Sequence, residues 1–319
     1  MQPEQTAPFD TVTRPADADG IAAAVALLAA GGTVALPTET VYGLAADAAN
    51  GAAVARVYAA KGRPAFNPLI VHVADLAMAE CYASFDSRAR ALATAFWPGG
   101  LTLVLPLRER APAASLVTAG LPSIALRIPA HPVMQAVVRG LGRGVAAPSA
   151  NTSGRLSPTR AAHVATSLAG RIPLILDAGP CALGLESSIV SLTGETPRLL
   201  RPGAIPLEAL RAHLPNLAAP ATNDAVIAPG MTDSHYAPAK PLRLNAAAAD
   251  ASEWHLGFGA IAGDDNLSPT ADLTGAAARL FDALHRADAG PHAAIAVAPI
   301  PETGLGLAIN DRLRRAAHR

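Results

Sequence analysis

Lysine is nearly missing from this chain: Lys61 and Lys240 stand alone among 25 basic residues in 319. Arginine serves almost wherever either cation would do. Lys61 is therefore expected to meet a need for a compact point charge, such as a phosphate contact exposed to ligand, unless base-composition bias explains it. Cysteine is reduced to Cys81 and Cys181, too few and too far apart for a disulfide framework or a zinc site. Both are read as core residues, and a reducing cytoplasm is the expected compartment. The opening "MQPEQTAPFD" lacks the basic and apolar regions of a secretory signal. The longest apolar run, "IAAAVALLAA" at 21–30, is about half the ~20 residues of a membrane span, so no membrane association is expected. Formal net charge is zero, which excludes a wholly basic nucleic-acid binder but not a local patch. Absent too are a GxxxxGK[ST] loop, HExxH, CxxC and a GxSxG elbow, which removes the phosphate-loop, zincin, thiol-redox and serine-hydrolase classes. "GLGLAIN" at 304–310 has GxG spacing without a third glycine and reads as a turn and helix cap.

What is present is a 51% hydrophobic chain whose excess is alanine, in helix-like runs. Asp17 and Asp19 precede a helix through 21–30 that Gly31 and Gly32 end. Helix signals recur at 51–60, 87–96, 131–141, 158–168 and 206–214. Between them stand the strand-like "TVALP", "PLIVHV", "LTLVLPL", "SIALRIP", "GVAAP", "PLILDAG", "SSIVSL" and "PRLLRPG". This alternation predicts an α/β domain, and the short spacing between strands predicts a mixed, twisted sheet with helices on its faces. A tail is expected over 1–14, the main domain over 15–214 and a linker over 215–241. A smaller C-terminal α/β, Rossmann-like domain is expected over 242–319, with strands "HLGFGA" and "AAIAVAPIP" and helices at 273–287 and from about Leu305. The linker is too long for an idle connection; its Pro229–Pro241 part is expected either to close as a lid or to act as a tether.

Polar clusters follow the strands: "PTETVYGL", "KGRPAFNPLIVH", "PSIALR", "APSANTSGRLSP", "LGLESSIV" and "LLRPG". Sites in α/β sheets gather outside strand ends, so these clusters predict one shared pocket. It would hold Lys61, Arg63, Arg127 and Arg201 with Thr40, Ser123, Ser149, Asn151, Ser153, Ser157 and Ser187. Cations with neutral donors suit a polyanion such as a nucleotide triphosphate. Without a nucleophile, catalysis would rest on placing reactants in line and neutralising phosphate charge. Structural readings stay open beside these. Arg127 could pair with Asp177, and Thr40, Ser187 and Ser188 could be turn or cap residues. His72 by default is a satisfied edge-strand histidine. Glu186 and Asp177 could be a magnesium shell or structural carboxylates, and "RLRR" at 312–315 reads as a solvated helix face.

The clusters "PTETVYGLAADA", "KGRPAFNPLIVHV", "WPGGLTLVL", "VAAPSANTSGRLSPT", "GLESSIVSL" and "LLRPGAI" resemble, in order, the motifs of YrdC-type threonylcarbamoyl-AMP synthases. "APGMTDSHYAPAKPL" and "IAVAPIPETGLGLAINDRLRRA" resemble the linker and extra domain of the family's two-domain form, and the likeness runs from about Pro15. It implies a nucleotidyltransferase that makes L-threonylcarbamoyl-adenylate and pyrophosphate from L-threonine, bicarbonate and ATP with Mg2+. The adenylate would pass to transferase proteins that modify a tRNA adenosine beside the anticodon. By the same likeness Lys61, Arg63, Asn67, Ser123, Ser149, Asn151, Ser157, Arg201, His235 and Tyr236 would contact ATP. Lys61, Arg63, Ser149 and Asn151 would be the catalytic set. Thr40, His72, Arg127, the backbone of Ala147, and Ser187 would surround threonine. The metal ligands are unknown. The linker departs from the family at "TDS" before His235, where basic or aromatic residues are common. Two other readings stand: an RNA- or tRNA-binding module, since residues 120–203 carry eight arginines against three acids, and carbamoyl transfer, whose multi-domain chains carry zinc fingers that two cysteines cannot supply.

Overall fold

The computed structural model describes residues 9–219 and 235–318. The "TDS" departure and the first part of the expected Pro229–Pro241 lid or tether fall at residues 220–234, outside the described residues; of its remainder, the Ala237 amide donates to the Gly154 carbonyl at 2.8 Å and the Lys240 amide to Asp288 at 3.0 Å. The main domain is built on ten strands: β1 (Val12–Pro15), β2 (Val34–Leu36), β3 (Gly43–Asp47), β4 (Ile70–His72), β5 (Leu101–Pro106), β6 (Ser123–Arg127), β7 (Val145–Ala146), β8 (Leu174–Asp177), β9 (Ser188–Ser191) and β10 (Arg198–Arg201). Their order across the sheet is β1-β8-β2-β3-β7-β4-β6-β5-β9-β10. Parallel pairs such as β4 with β6 and β5 with β9 alternate with antiparallel ones such as β5 with β6, so the sheet is mixed, as its strand spacing predicts. Residues 12–15, read from the sequence as the end of a polar tail and the start of the domain, pair with β8.

Helices cover both faces because each carries an apolar stripe. On one face α1 (Ala18–Ala29) and α6 (Pro132–Leu141) bury Ala24, Leu28, Met134, Val137 and Val138. Asp17 caps α1 by accepting from the Gly20 amide at 2.9 Å. The two helices cross so closely that a Cβ on Gly140 would stand 2.8 Å from Val25. On the other face α2 (Gly51–Lys61), α3 (Leu76–Tyr82), α4 (Ser87–Phe96), α5 (Ser115–Thr118), α7 (Ala161–Leu168) and α8 (Leu207–His213) join one core with the inner sheet residues.

The second unit is a parallel four-stranded sheet, β11 (Leu242–Arg243), β14 (Ala294–Val297), β12 (Glu253–Gly257) and β13 (Asp265–Asn266) in that order. It packs with α9 (Leu273–Ala289) and α10 (Leu305–Ala317). Gly304 has φ 52° at the start of α10, which is the turn-and-cap role read from "GLGLAIN". The core of this unit also takes in Val41, Leu156, Leu185 and Tyr236, so the smaller domain docks on the loops at the strand ends of the larger one. Gly184 permits the contact: at φ 68°, any Cβ there would meet the Ala278 backbone of α9 at 2.4 Å. Among the described residues no helix is long and apolar enough to cross a membrane. Cys181 is buried but Cys81 is exposed, because the short helix α3, which the sequence reading did not anticipate, turns that residue outward.

Candidate active site

The sheet brings His72 and Arg127 side by side, since parallel β4 and β6 pair them in register. Arg127 is clamped by three groups. Its Nη1 donates to Thr40 Oγ1 at 2.8 Å, its Nε to the Gly99 carbonyl at 3.0 Å, and its Nη2 lies 2.7 Å from Glu39 Oε1. It does not pair with Asp177, which instead accepts from the Gly179 amide at 2.8 Å. Glu39 also accepts from the amides of Ala130 and His131 at 3.0 and 3.3 Å. Burial alone would raise its carboxyl, but Arg127 and these donors hold it below the ordinary value. The "PTET" loop is held by Thr38, whose hydroxyl contacts Thr40 Oγ1 at 2.8 Å and donates to the Val41 carbonyl at 2.6 Å. His72 is not on an edge: β4 lies between β7 and β6. Burial, with Arg127 beside it, lowers His72 to about 3, so the imidazole is neutral at physiological pH. Its Nδ1 has no partner among the described residues.

At the other end α2 terminates in Lys61 and the left-handed Gly62. Lys61 is 2% exposed and donates to the carbonyls of Ser149 and Asn151. It pins the "APSAN" loop through these carbonyls, and burial drives its ammonium well below the usual lysine range. Asn151 staples the same loop by donating to Thr152 and Arg155 carbonyls at 2.9 and 2.8 Å. Arg63 is aimed by Asn67, whose Oδ1 accepts from Nη2 at 2.6 Å, and by the Pro68 carbonyl at 2.9 Å. Arg201 donates from Nη2 to the Ser187 carbonyl at 2.9 Å.

The two ends meet in a cavity of about 50 Å3. It is lined by ten of the expected residues: Thr40, Arg63, His72, Arg127, Ala147, Ser149, Ser187, Arg201, His235 and Tyr236. Tyr236 is buried at φ 64°, and His235 packs edge-on against it at 4.0 Å between ring centroids. Burial and the surrounding cations keep His235 neutral. Glu186 also faces the cavity, and its carboxylate is held by Ser157 and by Arg312 of α10. The "RLRR" segment is therefore not wholly a solvated face, because Arg312 is 0% exposed. Among the described residues no three His, Cys, Asp or Glu side chains gather to hold a metal. Cys181 is buried and pushed up to about 12, which leaves no thiolate nucleophile. Among the described residues no cysteine lines the cavity, and such a site can bind an anion beside a small polar molecule and align them.

A family model described as "Telomere recombination", for Sua5, YciO and YrdC proteins, matches residues 26–203. The chain belongs to the Sua5/YciO/YrdC family. A second model, described as "Threonylcarbamoyl-AMP synthase, C-terminal domain", matches residues 205–318. The threonylcarbamoyl-AMP synthase of Bacillus subtilis (strain 168) is 41% identical, with 93% of this chain and 92% of that protein aligned. The one from Pyrococcus abyssi (strain GE5 / Orsay) is 39% identical over 90% and 91%. The crystal structure of P. abyssi Sua5 complexed with L-threonine superposes with a TM-score of 0.87, at 36% identity and 97% coverage of both chains.

In this Sua5/YciO/YrdC chain Lys61, Asn67, Asn151, Ser157 and Ser123 do not line the small cavity itself, whose volume is below that of a nucleotide. The first four stand one layer behind: Lys61 and Asn151 hold the loop, Asn67 aims Arg63, and Ser157 donates to Glu186. Ser123 lies at the opposite end of β6 from Arg127, across from Pro106. Sequence reasoning missed Glu39 and Arg312 as partners of the site. Glu39 stood inside the quoted "PTET" cluster next to Thr40, so its place was visible though its partner was not. Arg312 carried no local signal, since its carboxylate is 126 positions away.

Proposed function

We propose that this chain makes L-threonylcarbamoyl-adenylate from L-threonine, bicarbonate and ATP, as a nucleotidyltransferase. The observation that carries the reading is a cavity combining three guanidinium groups with a hydroxyl-rich wall, in a chain that superposes over its length on a Sua5 solved with L-threonine. Threonine would sit at the Thr40, His72, Arg127, Ala147 and Ser187 end, the triphosphate at the Arg63, Ser149 and Arg201 end. The amine of threonine attacks the bicarbonate carbon and water leaves, giving a carbamate. A carbamate oxygen then attacks the α-phosphorus, and pyrophosphate departs with the electron pair of the broken P–O bond. His72, lowered to about 3, is too weak a base at neutral pH to drive the first step and serves to orient the amino acid. The guanidinium groups act by charge-assisted contacts that strengthen as phosphate charge develops.

Magnesium fits this scheme as part of the nucleotide substrate, because the described residues offer no ligand cluster of their own. The adenylate would be consumed in the cytoplasm by a transferase acting on tRNA. The RNA-binding alternative is weakened because two arginines of the basic stretch, Arg127 and Arg201, are buried and engaged with internal partners. The test is pyrophosphate release with threonine and bicarbonate together and with each omitted. Release should require both; orthophosphate release, or turnover independent of threonine, refutes the scheme.

A further inference from the structure

We propose that Arg312, contributed by the C-terminal domain, is a positioning residue for the nucleotide end of the site, acting through Glu186 and Pro202. Its guanidinium reaches both segments that frame that end. Nε donates to Glu186 Oε2 at 2.7 Å, and Nη2 donates to the Pro202 carbonyl at 2.9 Å. Glu186 precedes Ser187 and Pro202 follows Arg201 in the chain, and both Ser187 and Arg201 line the cavity. The other oxygen of Glu186 accepts the Ser157 hydroxyl, so one carboxylate ties the nucleotide loop to α10. The guanidinium also lies 5.1 Å from the centroid of the Tyr236 ring, a cation–π contact that holds the aromatic group over the cavity. Asp311 completes the set by pairing with Nη1.

Packing alone does not call for an arginine here. The neighbouring buried positions of α10, Ile309, Leu313 and Ala316, are apolar, and replacing a buried ion pair by apolar groups is often neutral for stability. What an apolar residue at 312 could not do is keep Glu186 ionised. Burial raises that carboxyl, and Arg312 is the largest of the influences that lower it. An ionised Glu186 accepts from Ser157; a protonated one would compete as a donor and release the loop. The smaller domain thereby sets the shape of a site whose remaining wall belongs to the larger one.

This inference rests on the synthase reading, and its test separates the two. Arg312→Met, Glu186→Gln, the double variant and Arg312→Lys are compared with the full-length chain by steady-state pyrophosphate release. Arg312→Met should raise KM for ATP about tenfold or more while KM for threonine stays within about twofold. The acid limb of kcat/KM for ATP should move upward by more than about one pH unit. The double variant, with no carboxylate to titrate, should lose that limb, and Arg312→Lys should restore part of the ATP affinity. Titration of 13C-labelled glutamate carboxyls, and calorimetric binding of a methylene-bridged ATP analogue, read the same shift without turnover. They keep the test open if the wild type releases no pyrophosphate, the result that would instead sink the synthase reading. If Arg312→Met fails to fold, the double and lysine variants carry the comparison. Equal loss for both substrates with unchanged pH profile and glutamate titration would reduce Arg312 to a packing residue.

Discussion

At the Arg127 end of the cavity a buried guanidinium meets Glu39, a carboxylate of its own domain. At the Arg63–Arg201 end, Arg63 rests on the amide and carbonyl oxygens of Asn67 and Pro68, and the carboxylate nearby, Glu186, is matched by Arg312 from the other domain. The first end is prebuilt by sheet register, with charge balanced before any ligand arrives. The second takes its shape from domain docking, through the contacts of Arg312 with Glu186 and Pro202. In the proposed scheme an amino acid brings its own compensating charges, whereas a triphosphate brings a surplus of one sign, so the two ends would answer different demands.

The largest effect should come from breaking the balanced end. Glu39→Ala leaves Arg127 buried without its carboxylate, a change worth about 3–5 kcal/mol of stability, read as a lowered urea midpoint. A stability loss below about 1 kcal/mol would mean that the pair behaves as a surface one. At the cationic end, Arg63→Ala should raise KM for ATP about tenfold to hundredfold, the worth of one or two charge-assisted contacts, with threonine binding little changed. Equal weakening of both substrates would erase the division between the ends.

Lys61 sharpens the contrast because it serves the cationic end from below. Its two carbonyl contacts make Lys61→Ala a stability variant of about 1–3 kcal/mol as well as an activity variant. Lys61→Arg should fail too, since the larger guanidinium has no room under the loop. Full activity in the arginine variant would refute the pinning role.

The effect that is smallest near neutral pH, and grows with acid, is the one expected from His72. His72 binds protons in the unfolded chain below its ordinary 6.5 but in the folded one only near 3. The unfolded state therefore holds more protons between those values, and stability falls as pH drops through that window. His72→Gln should flatten part of the slope in urea midpoints measured from pH 6.5 to pH 4, and an unaltered slope would show that His72 titrates normally.

Much of this was legible in the residues. Helix α4 occupies the predicted 87–96, and the Asp17 cap of α1 lies where the sequence puts it. Strand β3 was hidden inside the "YGLAAD" motif because small residues carry little strand propensity; antiparallel pairing with β2 and β7 fixes it. The two-residue strands β11 and β13 are below the length at which any period can be read. Site residues that follow strands were legible because strand ends are where α/β folds gather function. For Lys61 nothing in the sequence marked the backbone carbonyls it holds, because those partners lie 88 and 90 positions away and carry no side-chain signal. Arg312 was invisible for a different reason: a basic residue on an amphipathic helix announces solvent unless the opposing domain is known.

The pairing of β1 with β8 has a consequence for how the chain is made. Val12–Pro15 finds its partner only at Leu174–Asp177, and β8 also separates β1 from β2. During synthesis the first strands to leave the ribosome must wait for more than half the chain before that side of the sheet can form. Contacts of such separation slow folding and leave apolar strands uncovered meanwhile. The nascent polypeptide is thus expected to lean on ribosome-associated chaperones until β8 has emerged, and a circular permutant that begins near residue 171 and brings β8 out first should acquire protease resistance sooner during translation.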